Sequence, residues 1–507
     1  MAGTRSNNKL VILAMALGLL MSSLDNTIVA SCINKLSEDF NVFDKVSWVF
    51  TAYMLAATST MLVFGKLSDL FGRKMFYLIG IGMFLLGSAL CGLAQSADQL
   101  IWFRVIQGIG SGALMPISFT IIYTIFNDPK DAAKMSGVFG AIFGLSSVAG
   151  PQLGSFIAEH LGWRWNFYIN VPIGLASMIV LMIALKETRS DRKPKIDYLG
   201  TLFLIITTVS LMLALEWGGK TYAWGSWQEI SLFAASAVIG TLFILVELRA
   251  AEPVLPLSIF KNRMVLGTSI ICFCQGVIMF SAITYLPSFT VGVLGHANSN
   301  GVLTPMMASL IAGAILFGYL QSKFAFRTLM LFTMLMTIVA ASLLSVVSVH
   351  ASNGYMIALM ILLGFGAVGP LMSVAQSAIA ANVDPKYMGV SSSIVGFWRN
   401  IGGILGATIM ATIVNNNLHR LITEGADKAG IPSDKINTLA NPELLMRAGG
   451  QLDPQIRSFL QQALGTAINH GFILSICIGG IGLVTAMFVG ASRLSSTKKQ
   501  QAGAAHI

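Results

Sequence analysis

The sequence predicts an all-α membrane protein of fourteen transmembrane helices, two six-helix halves with an inserted pair between them. Composition is the first reason: of 507 residues 55% are hydrophobic and 11% charged, where a soluble domain carries about a quarter charged. A soluble multidomain enzyme is excluded. The second reason is a succession of apolar runs, each long enough to cross about 30 Å of hydrocarbon. The third is an internal echo. Gly65-Lys66-Leu67-Ser68-Asp69-Leu70-Phe71-Gly72-Arg73-Lys74 follows the second run, and Gly318-Tyr319-Leu320-Gln321-Ser322-Lys323-Phe324-Ala325-Phe326-Arg327 follows the tenth. Glycine, leucine, phenylalanine and a final basic residue coincide at matching offsets, on the same side of the membrane. That is a parallel repeat about an axis along the membrane normal.

Taken in order, the runs place helices near 10–33, 46–67, 75–95, 100–125, 134–160, 167–186, 197–216, 228–248, 264–292, 301–323, 328–350, 354–381, 387–414 and 464–492. The first is too long for a signal-peptide core and has no small-x-small cleavage site behind it, so it is read as a retained helix. Lys186 to Lys195 is a charged linker after the sixth helix. The segment 415–463 contains Asn441-Pro442-Glu443 and Asp453-Pro454, each a capping residue followed by Pro, and is expected to form a short external helical hairpin. The resulting division is an N-terminal half over 1–186, the linker and inserted helices over 187–262, a C-terminal half over 263–492 and a tail over 493–507.

The net charge of +10 is mainly an orientation signal. Arg73, Lys74, Lys130, Lys134, Lys186, Lys261, Arg263, Lys323, Arg327 and Lys386 fall on one side. The short loops opposite carry only Lys35, Lys45, Arg164 and Lys220. The positive-inside rule therefore sets both termini in the cytoplasm, and no nucleic-acid partner is expected. The five cysteines, Cys32, Cys91, Cys272, Cys274 and Cys477, lie in apolar runs without metal-binding spacing and read as packing residues. No metal and no cofactor are called for, and without a G-x-x-x-x-G-K-[ST] loop ATP is not the driver.

Asp25 is the carboxylate deepest in any expected span. Burial penalises its ionised form, which suits it to load and release a proton as access alternates. Arg104, inside the fourth span, costs roughly 2.5–3.5 kcal/mol unless paired or hydrated, and its depth differs from that of Asp25 by about 5 Å. The two can pair, as a proton switch or as a static bridge between helices. In the loop after the second helix, Gly65 and Gly72 permit a tight turn and close helix approach, while Asp69 can accept from Arg73 or a neighbouring helix N-terminus. In the fifth helix Gly150, Pro151 and Gly154 permit close packing and a bend. Arg399, near the middle of the thirteenth helix, has no acid in its own half to neutralise it. Either it reaches helix-end carbonyls or water in a central cavity, or it contacts an anionic portion of a substrate. A permissive cavity would draw on Met21, Tyr53, Met115, Phe143, Tyr285 and Phe397, whose apolar side chains adapt to varied ligands. His470 reads as an interfacial residue.

The G-x-L-x-D-x-x-G-R-K loop, the R-x-x-Q-G-x-G-x-G run from Arg104 to Gly112 and the Gly-Pro-x-x-Gly of the fifth helix resemble the signature motifs of the major facilitator superfamily. Leu24-Asp25-Asn26-Thr27-Ile28-Val29, Trp163-Arg164-Trp165-Asn166-Phe167, Asn170-Val171-Pro172, Glu252-Pro253 with Phe260, and Arg399 with Gly402, Gly403 and Gly406 are similar to its fourteen-helix drug:proton antiporter family. After the aspartate, Val29-Ala30-Ser31-Cys32-Ile33-Asn34 departs from that family's V-N-V-A-L-P, and Ser322 stands where the echo has Asp69. The resemblance implies the major facilitator fold and a monomer in the plasma or inner membrane, surrounded by lipid. It implies proton-driven export of lipophilic, cationic drugs, with Asp25 carrying the proton and Arg104 tuning it. Gly65, Asp69, Gly72 and Arg73 would then form an inner latch, and Gly150, Pro151 and Gly154 an outer closure. Export of an endogenous amphiphile such as a lipid, peptide or siderophore is the second reading, and a membrane sensor without transport the third. A membrane-embedded enzyme is disfavoured because no His/Asp/Glu cluster falls inside the spans.

Overall fold

The computed structural model describes residues 7–40, 45–187, 195–296, 300–429 and 454–494. Fourteen helices in it are long and apolar enough to cross a membrane. They are α1 (Asn8–Val29), α2 (Ser47–Phe71), α3 (Arg73–Leu93), α4 (Ala97–Ile125), α5 (Pro129–His160), α6 (Trp165–Ala184) and α7 (Tyr198–Trp217). The remainder are α8 (Trp227–Glu247), α9 (Arg263–Val293), α10 (Gly301–Leu320), α11 (Phe326–Leu344), α12 (Asn353–Ala380), α13 (Pro385–Gly425) and α14 (Gln455–Phe488). Large apolar side chains such as Trp102, Ile183 and Val238 stand on the outside of the bundle, as lipid contact requires. The chain is a multi-pass membrane protein.

Helix starts follow local chemistry. Ser96 accepts from the Gln99 N–H, Asp128 from Lys130 with Pro129 at the first position, Asp197 from Gly200, Ser226 from Glu229, Asn262 from Met264 and Ser352 from Tyr355. Each satisfies one N–H that the helix leaves unpaired. The α2–α3 turn needs Gly72, whose φ is +115°, a value that L side chains rarely adopt. The Glu187 carboxylate sits against this glycine and accepts from the N–H groups of Lys74 (3.3 Å) and Met75 (3.0 Å), capping α3.

The boundaries differ from expectation where helix and apolar run part company. The thirteenth helix, expected to stop near 414, continues as Met388–Ala429, and the fourteenth begins at Pro454 rather than near 464. Hydropathy marks where lipid contact ends, whereas the backbone ladder runs on through polar residues such as Asn415 to Asn417. Residues 415–429 and 454–463 thus prolong two spans. Asn441 to Glu443 and most of the 186–195 linker lie outside the described residues. The first helix ends at Ser31, and a separate short helix, Ile33–Phe40, follows a turn at Cys32.

α1–α6 pack together, as do α9–α14. The two groups meet at backbone crossings where glycine leaves room. A Cβ on Gly389 of α13 would lie 2.4 Å from the carbonyl oxygen of Gly65 on α2, and one on Gly137 of α5 would lie 2.9 Å from the Cα of Gly318 on α10. Gly65 and Gly318 are the first residues of the two echoed decads. The inserted pair lies along the seam: Thr408 of α13 donates to the Leu215 carbonyl of α7 (2.9 Å), and Trp217 of α7 stacks obliquely on Trp48 of α2, 5.6 Å between centroids. Glu247 at the end of α8 accepts from Val254 (3.1 Å) and Leu255 (3.3 Å), folding the exit segment back toward buried Lys66.

At the end of the bundle away from Arg73, the Asp39 carboxylate accepts from Trp163 Nε1 and Arg164 Nη1, both at 2.9 Å. The Arg164 guanidinium also lies over the Trp163 ring, 4.3 Å from its centroid. The bond from Trp163, followed by that from Arg164, holds the Asp39 carboxyl below the usual range. A depressed folded-state value contributes stability above the unfolded value of about 3.9, and that contribution is lost as pH falls through the folded value. The thermal midpoint in detergent should therefore fall between pH 5 and pH 3, each about a unit from that value, by less in Asp39→Asn than in the native chain. Equal losses in the two proteins would remove this clasp from the stability of that end.

Candidate functional site

α1 delivers Asp25 and α4 delivers Arg104 to one fully buried point, where their side chains form an ion pair. Gln107, one turn along α4, donates from Nε2 to Asp25 Oδ1 (2.8 Å) and accepts from Arg104 Nη1 (2.8 Å). Asn170, entering α6, donates to Asp25 Oδ1 (2.9 Å) and to Ser88 Oγ of α3 (3.1 Å). Arg104 Nε donates to the Val49 carbonyl of α2 (3.0 Å), and the Tyr53 ring covers its guanidinium with the centroid 4.1 Å from Cζ. Five helices thus converge on one carboxylate. α4 approaches this closely because Gly108 and Gly112 face backbone atoms of α2, whereas Gly110 faces α3.

Every partner of Asp25 here is a donor: a guanidinium and two amide NH₂ groups. Two polar atoms at the site have no partner, Arg104 Nη2 and Asn170 Oδ1. The sequence singled out Asp25 and Arg104 but missed the roles of Gln107 and Asn170. Their signal was present, because an amide inside an apolar span needs a partner as an arginine does.

Arg104, Gln107, Ser111 and Met115 recur at three- and four-residue intervals, so they share one face of α4. Ser111 receives the Tyr53 hydroxyl (2.6 Å) and bonds with Ser22 of α1 (2.7 Å). Met115, about 16 Å along the helix from Arg104, brings its sulfur to 3.7 Å from Arg399 Nη2 of α13. There the two halves enclose a small cavity of about 10 Å³, room for a single water, lined by Phe143, Gln275, Met279, Val368, Met372 and Arg399 among others. α12 widens into a π-helical turn at Leu363–Val368, and the Val368 carbonyl accepts from Gln275 Nε2 (2.9 Å). Such turns often mark functional positions.

Of the expected cavity residues, Met115, Phe143 and Arg399 gather here. Met21 instead packs against Gly174 of α6, and Tyr53 is taken up by Arg104. Tyr285 lies in the core of the C-terminal half, and Phe397 packs on Trp398 toward the inserted helices. Of the alternatives open for Arg399, a helix-end carbonyl is not what its side chain meets: its nitrogens face the sulfurs of Met372 (3.3 Å) and Met115, and Nε has no partner. The guanidinium carbon lies 5.4 Å from the centroid of the Phe143 ring.

At the Arg73 end, Asp69 reaches across the seam. Both its oxygens accept from the Gly389 N–H at 2.8 Å, and Oδ2 also accepts from Val390 (3.1 Å). Arg73 stands 3.7 Å from Asp69 and donates to the Pro385 carbonyl (3.4 Å). A carboxylate from one half therefore caps the N-terminus of a helix in the other. The turn leading into that helix is held by Asp384, whose carboxyl sits below its usual range because the Lys386 N–H donates to it. Gly150 and Gly154, by contrast, pack within their own half: they accommodate Thr27, Ile28 and Ser31 of α1, and Thr27 donates to the Ser146 carbonyl (3.1 Å).

The family model described as Major Facilitator Superfamily matches residues 15–407. The chain is 40% identical over 499 residues to Multidrug resistance protein 3 of Bacillus subtilis, covering 97% of each chain. It is 33% identical to Multidrug transporter protein MdtP of the same organism, covering 98% of this chain and 96% of that one. Among solved structures, the human organic anion transporter MFSD10 superposes with a TM-score of 0.63 at 13% identity, covering 96% of this chain and all of that one. The proton:xylose symporter XylE superposes with a TM-score of 0.61 at 14% identity, covering 97% and 98%. Identities this low speak for the fold alone.

Two outcomes follow from this geometry. Arg104→Ala leaves a buried carboxylate uncompensated and should destabilise the protein by about 3–5 kcal/mol, while the Asp25→Asn, Arg104→Gln double variant should lose much less. Equal losses in thermal denaturation would show that the pair's charge is not what matters. Asp69→Asn should open the seam: in a cysteine-free background, a cysteine at buried Ser136 should be alkylated roughly tenfold faster, as weakening a helix-capping ion contact by about 1–2 kcal/mol implies. An unchanged rate would remove Asp69 as a latch.

Proposed function

The chain belongs to the major facilitator superfamily, and from that premise we propose that it is a proton-coupled antiporter exporting lipophilic small molecules across the cell membrane. Both termini then lie in the cytoplasm, so the Asp69 seam is the inner gate and is closed in this conformation. The observation that carries the reading is the site of Asp25. Among the described residues it is the one carboxylate in the depth of a span, and the groups that hold it are all hydrogen-bond donors.

Alternating access supplies the rest. With the inner gate shut, a proton arriving at Asp25 removes the charge that holds Arg104. Asn170 is placed to receive it, because a half-turn of its amide presents the unpartnered oxygen as an acceptor for a protonated carboxyl. Release of the ion pair loosens α1, and α1 is keyed to α5 by Thr27 and Ile28 lying against Gly150 and Gly154. α5 in turn forms the Gly137–Gly318 crossing. Protonation at one end of that chain of contacts thus biases the seam at the other. Substrate occupies the central cavity, which at about 10 Å³ is closed to anything of drug size in this conformation and widens as the halves rock. Because Arg104 and Met115, the α4 residues that meet Asp25 and Arg399, stand about 16 Å apart along that helix, coupling passes through helix movement, without direct contact between proton and substrate. The protein works as a monomer, and no cofactor or bond-making step enters.

The test is uphill transport. In proteoliposomes with an imposed pH gradient, the native chain should concentrate members of a lipophilic dye panel. Asp25→Asn should retain downhill exchange and lose accumulation. Full accumulation by that variant would overturn proton coupling at Asp25.

A further inference from the structure

The two buried guanidinium groups of the bundle live under opposite conditions. Arg104 is neutralised by Asp25 and surrounded by hydrogen-bonding groups. Arg399 is 6% exposed, yet no carboxylate among the described residues forms an ion pair with it. Its Nη1 meets the sulfur of Met372 at 3.3 Å and its Nη2 that of Met115 at 3.7 Å, while Nε is buried without any partner. Thioethers are weak acceptors, so five N–H donors and a full positive charge face an apolar chamber. An isolated buried charge is costly unless paired. Beside that charge the walls offer adaptable apolar surface: the Phe143 ring and the side chains of Met279 and Met372.

We infer that the central cavity seats the carboxylate of a lipophilic substrate on Arg399, with the apolar body of that substrate against Phe143, Met279 and Met372. The planar guanidinium fork matches a carboxylate in bidentate fashion. No carboxylate lines the chamber to receive a cation, because Asp25, the acid of the neighbouring helix, is already enclosed by Arg104, Gln107 and Asn170. The cationic cargo implied by the family resemblance is replaced by an anionic or zwitterionic one. This assignment rests on the transport reading for its purpose, but the seat itself is an equilibrium property that can be measured without a gradient.

The probes are pyrenebutyrate, its uncharged amide and the trimethylammonium analogue, titrated into the full-length protein in lipid nanodiscs and read by pyrene anisotropy. The native chain should bind the carboxylate about tenfold more tightly than the amide, as a charge-assisted pair gives. In Arg399→Gln that ratio should collapse to about one and the ammonium probe should gain affinity. Removing an uncompensated charge should leave the thermal midpoint equal or higher. Met372→Glu, which supplies the missing counter-ion and keeps the arginine, should abolish the preference too and decides the matter if Arg399→Gln fails to fold. Asp25→Asn should keep it. A native chain without preference for the carboxylate, or a preference that survives both cavity variants, overturns the seat. Asp25-dependent accumulation would then still support transport, whereas an intact Arg399-dependent preference with no Asp25-dependent accumulation would overturn the coupling and leave the seat standing.

Discussion

A carboxylate and a guanidinium with no access to solvent must satisfy each other, and the N-terminal half is organised around that demand. Asp25 and Arg104 sit where lipid-exposed helices surround them on all sides, so each further polar atom has to come from a helix that packs tightly enough to deliver it. The glycines of α4 serve this need. Gly108 and Gly112 bring α2 close, Gly110 brings α3 close, and Val49, Tyr53 and Ser88 arrive on those helices. A pair so enclosed is a poor source of net stability compared with an apolar replacement. Its retention makes sense as a two-state element, since adding one proton removes the reason for the arrangement.

The repeat explains why the seam has two similar crossings, and departures from the repeat explain why they differ. Gly65 on α2 meets Gly389 on α13, and Gly318 on α10 meets Gly137 on α5, as a two-fold relation requires. Only the first crossing is reinforced by charge. Asp69 caps α13 from the opposite half, whereas α5 is capped by its own Asp128 and the position equivalent to Asp69 is Ser322, which bonds locally to the Tyr319 carbonyl. One crossing therefore depends on an ion at a helix terminus and the other on apolar close packing. The first is open to electrostatic control, and the second answers to helix position, which α5 takes from α1.

Much of this was legible in the sequence because apolar length and basic asymmetry report directly on membrane physics. All fourteen helices were readable, as were the meeting of Asp25 with Arg104 and the double role of Asp69. The helix ends at 429 and 454 were not, since hydropathy reports the lipid boundary and is blind to a helix that continues into water. Nor were most cavity residues: Met21, Tyr53, Tyr285 and Phe397 are aromatic or flexible and lie in the right helices, but which face of a helix looks inward depends on its rotation. An apolar helix inside a membrane bundle carries little amphipathic signal to fix that rotation. Polar residues escape the ambiguity, because each needs a partner. For that reason Gln107 and Asn170 could have been assigned from sequence, and Phe397 could not.

The unequal treatment of the two arginines carries the argument furthest. If both were structural, both would be expected to have satisfied partners, for an unpaired guanidinium in an apolar interior is costly. Arg104 has a counter-ion in Asp25 and Arg399 forms no ion pair among the described residues, although α13 is held rigidly beside α9 by Gly276, Gly402 and Gly406 lying against facing backbone. Rigid placement of an unpaired charge is preorganisation, in which the fold bears in advance the cost of ordering that group. The inserted helices fit this picture. By binding α2 through Trp217 and Trp48 and α13 through Leu215 and Thr408, α7 bridges the two halves at their seam and steadies the helix that carries Arg399. Asp25 and Arg399 thus belong to different halves, linked through Arg104 and Met115 on one face of α4, and that separation keeps the two charged side chains from neutralising each other.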